Sequence, residues 1–239
     1  MNRIEHLAEG VTLYCGDCRE ILPTLGKVDA VVTDPPYGIG YKRGLGGDGA
    51  LKGSRKPDWG RVAGDAAPFD PSPWIKQPCI LWGANHYSAR LPHGRWLAWN
   101  KLGNFESYDD FSDVEFAWQN KRASDKIFNY LWKGVRQAGE KGEQRQHPTQ
   151  KPIALMEWCL GFVPEAQTIL DPFLGSGTTG IACARLGRKF IGIEIEPKYF
   201  DIACKRIQAA LDAPDLFIDA PKLVESTQLD LMQVNADNL

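Results

Sequence analysis

In "GVTLYCGDCREILPTLGKVDAVVTDPPY" an apolar run reaches Tyr14, a segment from about Arg19 to Leu25 is closed by Gly26, and a second apolar run covers Ala30 to Thr33. That pattern predicts strand, helix, strand, with Asp34 delivered at the end of the second strand. Further on, "CILWGAN" and "RWLAWNK" read as short strands rich in tryptophan and ending in polar residues, Asn85, Asn100 and Lys101. Trp82, Trp96 and Trp99 are expected in the core. The last part is the most regular: "PIALMEWCLGF" as helix, "QTILDP" as buried strand, "GSGTTGIACARLG" as turn and helix ending at Gly187, and "KFIGIEIE" as strand. In "PKYFDIACKRIQAAL", Pro197 opens a helix whose apolar face carries Phe200, Ala203, Ile207 and Ala210. Strands alternating with helices predict an α/β fold, a mainly parallel doubly wound sheet covered on both faces.

Two stretches have neither period. Residues 41–66 are rich in glycine and carry Lys42, Arg43, Lys52, Arg55, Lys56 and Arg61, which predicts a long mobile basic loop. Residues 102–146 are expected to form an insertion rather than core. Residues 120–146 carry seven basic residues, including Arg122, Lys133 and Arg136, against three acidic ones. One domain over residues 1–211, followed by a polar tail over 212–239, accounts for the chain.

Composition narrows the class. The chain of 239 residues is 43% hydrophobic and 24% charged, ordinary for a soluble globular protein. Its net charge of −2 neither announces nor excludes a polyanion, because clustering of the basic residues decides that. No apolar run is long enough for a bilayer and the start lacks a signal-peptide core, so a cytoplasmic protein is expected. The six cysteines are expected as free thiols. The close pair in "CGDC" has no second pair to complete a zinc site, and no metal is expected.

The chemistry begins at "TILDPFLGSGTTG". A buried strand ends in Asp171, and Gly175 and Gly177 allow a tight turn into a helix, the place where open α/β sheets bind nucleotide-like ligands. No lysine precedes Thr178 and Thr179, so the phosphate-gripping loop pattern fails. The next strand ends in Glu194, an acid placed to hold two ribose hydroxyls, and Asp17 at another strand end could accept from an adenine amino group. Acids at these strand ends suit an adenosine ligand bearing an amine or sulfonium. At "DPPY", Pro35 and Pro36 force a stiff extended exit that presents Asp34 and Tyr37.

Together "DPPY", "HPTQKP" at residues 147–152 and "DPFLGSGTT", in that order, resemble the amino-directed DNA methyltransferases that use S-adenosyl-L-methionine, in the permuted motif order of their β group. The likeness covers roughly residues 11–210 and implies a Rossmann-like methyltransferase fold with a small inserted recognition region, of the kind found with prophages or restriction-modification systems. It implies that Asp171, Phe173, Gly175, Gly177 and Thr178 cradle the cofactor, with Glu194 at the ribose and Asp17 at the adenine. His147, Thr149 and Lys151 would close the methionine end, Thr149 and Lys151 at its carboxylate. Asp34 and the Pro35 carbonyl would accept from a target amine, and Pro36 and Tyr37 would shape and stack on the flipped base. Aspartate at position 34 favours adenine N6, and cytosine N4 is the alternative. A non-catalytic, cofactor-sensing DNA-binding module is the reading of another class.

Double-stranded DNA is the partner so implied, with Lys42, Arg43, Arg122, Lys133 and Arg136 as expected phosphate contacts. Relatives of this group are often homodimers. The tail "QLDLM", Gln228 to Met232, resembles the short peptide by which bacterial repair proteins hook the sliding clamp, with Met232 in place of the usual aromatic.

Overall fold

A computed structural model of the chain describes residues 3–40, 63–106, 112–133, 136–137 and 150–213. Strand β1 (Arg3–Ala8) and β2 (Val11–Cys15) are followed by a short helix α1 (Cys18–Ile21) and β3 (Ala30–Thr33). Then come β4 (Cys79–Trp82), β5 (Arg95–Asn100), β6 (Val114–Gln119) and β7 (Lys126–Asn129). A small separate hairpin pairs β8 (Trp132–Lys133) with β9 (Arg136–Gln137). The chain continues through α2 (Ile153–Leu160), β10 (Thr168–Asp171), α3 (Thr178–Arg185), β11 (Lys189–Glu194) and α4 (Pro197–Asp212).

Among the described residues, nine strands form one sheet in the order β1-β2-β11-β10-β3-β4-β6-β5-β7. The central five, β2, β11, β10, β3 and β4, are parallel, as the alternation of strands and helices predicts. Their side chains alternate between two cores. Ala30, Val32, Ile80 and Trp82 join the core under α2, α3 and α4, whereas Val31, Cys79 and Leu81 pack under Ile21, Phe69, Trp74 and Tyr87 on the opposite face. With both faces covered, β3 and β4 are buried at every position, while β5, covered on one face, alternates buried and half-buried. Trp82 and Trp99 are core and Trp96 is half-buried on the less covered face. Helix α4 buries Phe200, Ala203 and Ile207 as its spacing predicts, each large apolar side chain contributing roughly 1.5–3 kcal/mol.

Three elements depart from expectation. Strand β1 was not anticipated, because as an edge strand it mixes exposed polar and apolar residues, Ile4 among them, and gains its place from the antiparallel ladder with β2. Arg3 ties it to Asp201 and lies over the Phe200 ring at 4.5 Å. Helix α1 stops at Ile21 and continues as a single 3-10 turn, Leu22–Thr24, in which Pro23 has no N–H to donate. Residues 102–146, expected as an insertion, supply β6 and β7 to the main sheet, and Ala117, Trp118 and Gln119 are buried. Antiparallel pairing on both sides of β6 secures it without a helix crossover, so the helix–strand rhythm gives no sign of it.

The six cysteines stand as free thiols. No helix among the described residues is long and apolar enough to cross a membrane.

From β10 the chain passes through α3 to β11 on one side, while its other neighbour β3 leads on to β4. The carboxyl ends of β10 and β3 therefore flank a topological switch point, where such sheets open a ligand crevice.

Candidate active site

Asp171 ends β10 and is buried. Its carboxylate accepts from Thr33 Oγ1 at 2.6 Å, Thr179 Oγ1 at 2.6 Å and the Phe173 N–H at 3.1 Å. Burial raises its pKa to about 6, those hydrogen bonds opposing the shift. Asp171 thus anchors the turn to both β3 and α3. Gly177, the N-cap of α3, is left-handed at φ 84°, a conformation that costs glycine little.

The turn is also clamped from β11. Glu194 Oε2 accepts from the Gly175 N–H at 2.7 Å and Oε1 from the Glu196 N–H at 2.9 Å. Burial raises the Glu194 pKa to about 7, against the pull of these two N–H groups. At the neighbouring strand end, Gly16 N–H donates to the Glu194 carbonyl at 2.9 Å. Asp17 follows it as N-cap of α1, accepting from Arg19 N at 2.9 Å and Nε at 3.0 Å. Those bonds, the guanidinium first, hold the Asp17 carboxyl below its ordinary range. Its pairing with Arg19 is a local one that the resemblance does not imply.

Across the crevice, Asp34 leaves β3 and carries two partners. Tyr37 OH donates to Oδ1 at 2.5 Å, and Lys151 Nζ donates to Oδ2 at 2.6 Å. Lys151 also meets Glu115 Oε2 at 3.0 Å and Tyr37 OH at 3.2 Å, so its donors are engaged. The resemblance sends Lys151 to a cofactor carboxylate; the structure sets it on Asp34 and Glu115. Burial opposes the charge on Lys151, but the two carboxylates prevail and raise its pKa. Burial raises the Asp34 pKa, with the Lys151 charge pulling the other way.

Tyr37 is seated by glycine. Gly83, immediately after β4, is left-handed at φ 68°, and a Cβ there would lie 1.9 Å from Tyr37 Cε1. The ring also stacks on exposed His86, centroids 5.0 Å apart and planes 17° from parallel. A single cleft is lined by Asp34, Gln150, Lys151, Phe173, Gly175 and Thr178, uniting the "DPPY" exit with the glycine turn.

Sequence reading missed Glu115, Lys101, Thr33, Gln150 and His86. Thr33 and Gln150 sit inside segments already singled out, and Gln150 Oε1 meets Ser176 Oγ at 3.2 Å. Glu115 carries no local signal, since only the pairing of β6 with β5 brings it to this end. His147, Thr149, Lys42, Arg43 and the tail 228–232 lie outside the described residues, as do the side chains of Lys133 and Arg136. The hairpin backbone bearing Lys133 and Arg136 starts beside the site: Trp132 N–H donates to the Lys101 carbonyl at 2.8 Å and its indole to the Gln150 carbonyl at 3.2 Å. Arg122 follows β6, which runs antiparallel to β4, and so it lies at the end of the sheet away from Asp34.

A family model described as DNA methylase, of the N6 and N4 type, matches residues 79–205. The type II methyltransferase M2.LlaDCHI of Lactococcus lactis subsp. cremoris is 30% identical over 220 residues, covering 75% of this chain and 82% of that protein. M2.DpnII of Streptococcus pneumoniae is 55% identical over 65 residues, which are 27% of this chain and 24% of that one, so this match spans about a quarter of the relative's length. The solved structure of M1.HpyAVI with S-adenosylmethionine aligns at 26% identity over 81% of this chain and 98% of that chain, with a TM-score of 0.45.

Proposed function

Because the chain belongs to the DNA methylase family of N6-adenine and N4-cytosine methyltransferases, which draw their methyl group from S-adenosylmethionine, we propose that it methylates N6 of adenine in double-stranded DNA. The observation that carries the proposal is the shared cleft, with the Asp34 carboxylate on one wall and the glycine turn on the other. Aspartate rather than serine at position 34 favours adenine, through the family resemblance.

The residues fit the cofactor. Gly175 and Gly177 let backbone approach a ligand closely, and Glu194, fixed by two N–H groups, keeps lone pairs for ribose hydroxyls. When bound, the cofactor supplies an electrophilic methyl group on a sulfonium. The protein's own task is to prepare the amine, whose lone pair is delocalised into the base. Asp34 accepts an amine hydrogen and draws the nitrogen toward tetrahedral geometry, with the Pro35 carbonyl as second acceptor. The proton released after transfer passes to Asp34. No covalent enzyme intermediate is needed, so the gain comes from orientation and from an acceptor in place beforehand. The target base must leave the helix to reach Asp34, at a cost of a few kcal/mol. Stacking on Tyr37, once His86 has moved off its ring, returns roughly 1–3 kcal/mol.

Mass spectrometry of nucleosides from DNA treated with the purified protein tests this reading. N6-methyladenine is expected; N4-methylcytosine alone would overturn the choice of base, and no methylation with cofactor bound would favour the binding-module reading. Target recognition is assigned to the hairpin that bears Lys133 and Arg136. Replacing Lys133 and Arg136 with alanine should reduce the slope of log affinity for DNA against log salt by about two, whereas Arg122→Ala should leave it unchanged. Equal slopes for all variants would remove the hairpin from the DNA interface.

A further inference from the structure

The charges around Asp34 form a chain that the family reading does not require. Asp34, Lys151, Glu115 and Lys101 alternate in sign, joined at 2.6, 3.0 and 3.3 Å. Their side chains are 17%, 6%, 30% and 15% exposed in that order. Glu115 lies on β6 and Lys101 directly follows β5, both beyond β4 in the sheet. Glu115 lies opposite Trp99 in the β5–β6 ladder, and Lys101 N–H donates to the Asp113 carbonyl at 2.8 Å, which sets the two side chains side by side.

We infer that Glu115 is a positioning residue for methyl transfer: held by Lys101, it shares the Lys151 ammonium with Asp34 and fixes where that ammonium stands. The inference rests on the reading of Asp34 as acceptor for the target amine. A lysine ammonium is a compact charge on a flexible four-carbon stem, and one carboxylate does not determine its position. With Glu115 opposite, the ammonium is held between two acceptors, and Asp34 keeps lone-pair density for the amine. Without Glu115, the whole charge falls to Asp34, which becomes the weaker acceptor. Among the described residues, the other titratable groups that face this cluster are Tyr37, Tyr87, Cys159 and Asp171, and none of these is a second cation for Asp34. Glu115 also raises the pKa of Asp34 through its charge, which agrees with this role.

The test is Glu115→Gln in the full-length protein, read by single-turnover methylation across pH and by separate measurements of cofactor and DNA binding. The expected result is a rate at least about tenfold lower, binding within about threefold, and an acid limb of the pH–rate profile moved to lower pH. The sign follows from losing a negative neighbour of Asp34. Glu115→Asp, which keeps the charge, should leave the limb in place, and it serves also if the glutamine variant does not fold. An unmoved limb with wild-type rate in Glu115→Gln, or a limb moved equally by Glu115→Asp, overturns the inference. A parallel Asp34→Ala that still methylates would instead overturn the reading of Asp34.

Discussion

Asp34→Ala lowers single-turnover methyl transfer by about 10³-fold while cofactor affinity stays within about threefold, if Asp34 is the acceptor for the amine. The size follows from what is lost. An acceptor aimed at the reacting nitrogen acts in the transition state, where the nitrogen gains positive charge, and contributes little to ground-state binding of the cofactor. Cofactor binding is spared because the glycine turn is anchored by Asp171 and Glu194, neither of which bonds to Asp34. Lys151 keeps Glu115 as counter-ion, so the substitution leaves no isolated buried cation. Single-turnover kinetics with equilibrium cofactor binding check both halves. A joint loss of rate and affinity would mean that Asp34 supports the cleft rather than the chemistry.

The second large effect falls on Glu194 and on pH. Burial holds its pKa near 7, so the empty protein carries a largely protonated Glu194 at pH 6. Ribose hydroxyls donate to the ionised form, and binding must therefore release a proton below neutrality. Cofactor affinity is expected to fall as pH drops below about 7, by up to tenfold per unit, and to be level above it. Glu194→Ala should weaken binding by roughly 10- to 100-fold and remove that part of the pH dependence, and Glu194→Asp should retain it. Titration of cofactor binding from pH 5.5 to 8.5 measures this. A wild-type profile in Glu194→Ala would take the ribose from Glu194. The same shift acts on stability with the following sign. The folded protein holds a proton on Glu194 that the unfolded chain has already lost above the ordinary carboxylate range, so stability declines as pH rises toward 7 and is level beyond it. Asp171, raised to about 6, adds to the decline at its lower end.

The parallel half of the sheet was legible because its strands are buried on both faces and its helices keep one apolar face. Such segments declare themselves by short apolar runs and 3.6-residue spacing, as with Ala30–Thr33 and Pro197–Asp212. Asp34, Asp171 and Glu194 were legible for a related reason: each directly follows or ends a buried strand, and an acid there needs an explanation. Glu115 and Lys101 were not. Both lie on the antiparallel side, where position depends on which strands pair, and β6 enters between β4 and β5 out of chain order. Lys151 was found through its motif, but its bonds to Asp34 and Glu115 were not, because a motif names a residue and not its neighbours. Arg122 illustrates the same limit, as one reversal of strand direction carries a basic residue to the opposite end of the sheet from Asp34.

The Asp34–Lys151 bond spans 117 residues of chain, and Thr33–Asp171 spans 138. Contacts of such separation form only after long loops have closed, and loop closure is what slows topologies of this kind. Lys151 reaches both Asp34 and Glu115 only when the entry to α2 has been brought against β3 and β6 by such closures. Recovery of methyl transfer during refolding should therefore trail recovery of helical signal, making enzymatic activity a clock for the last stage of assembly.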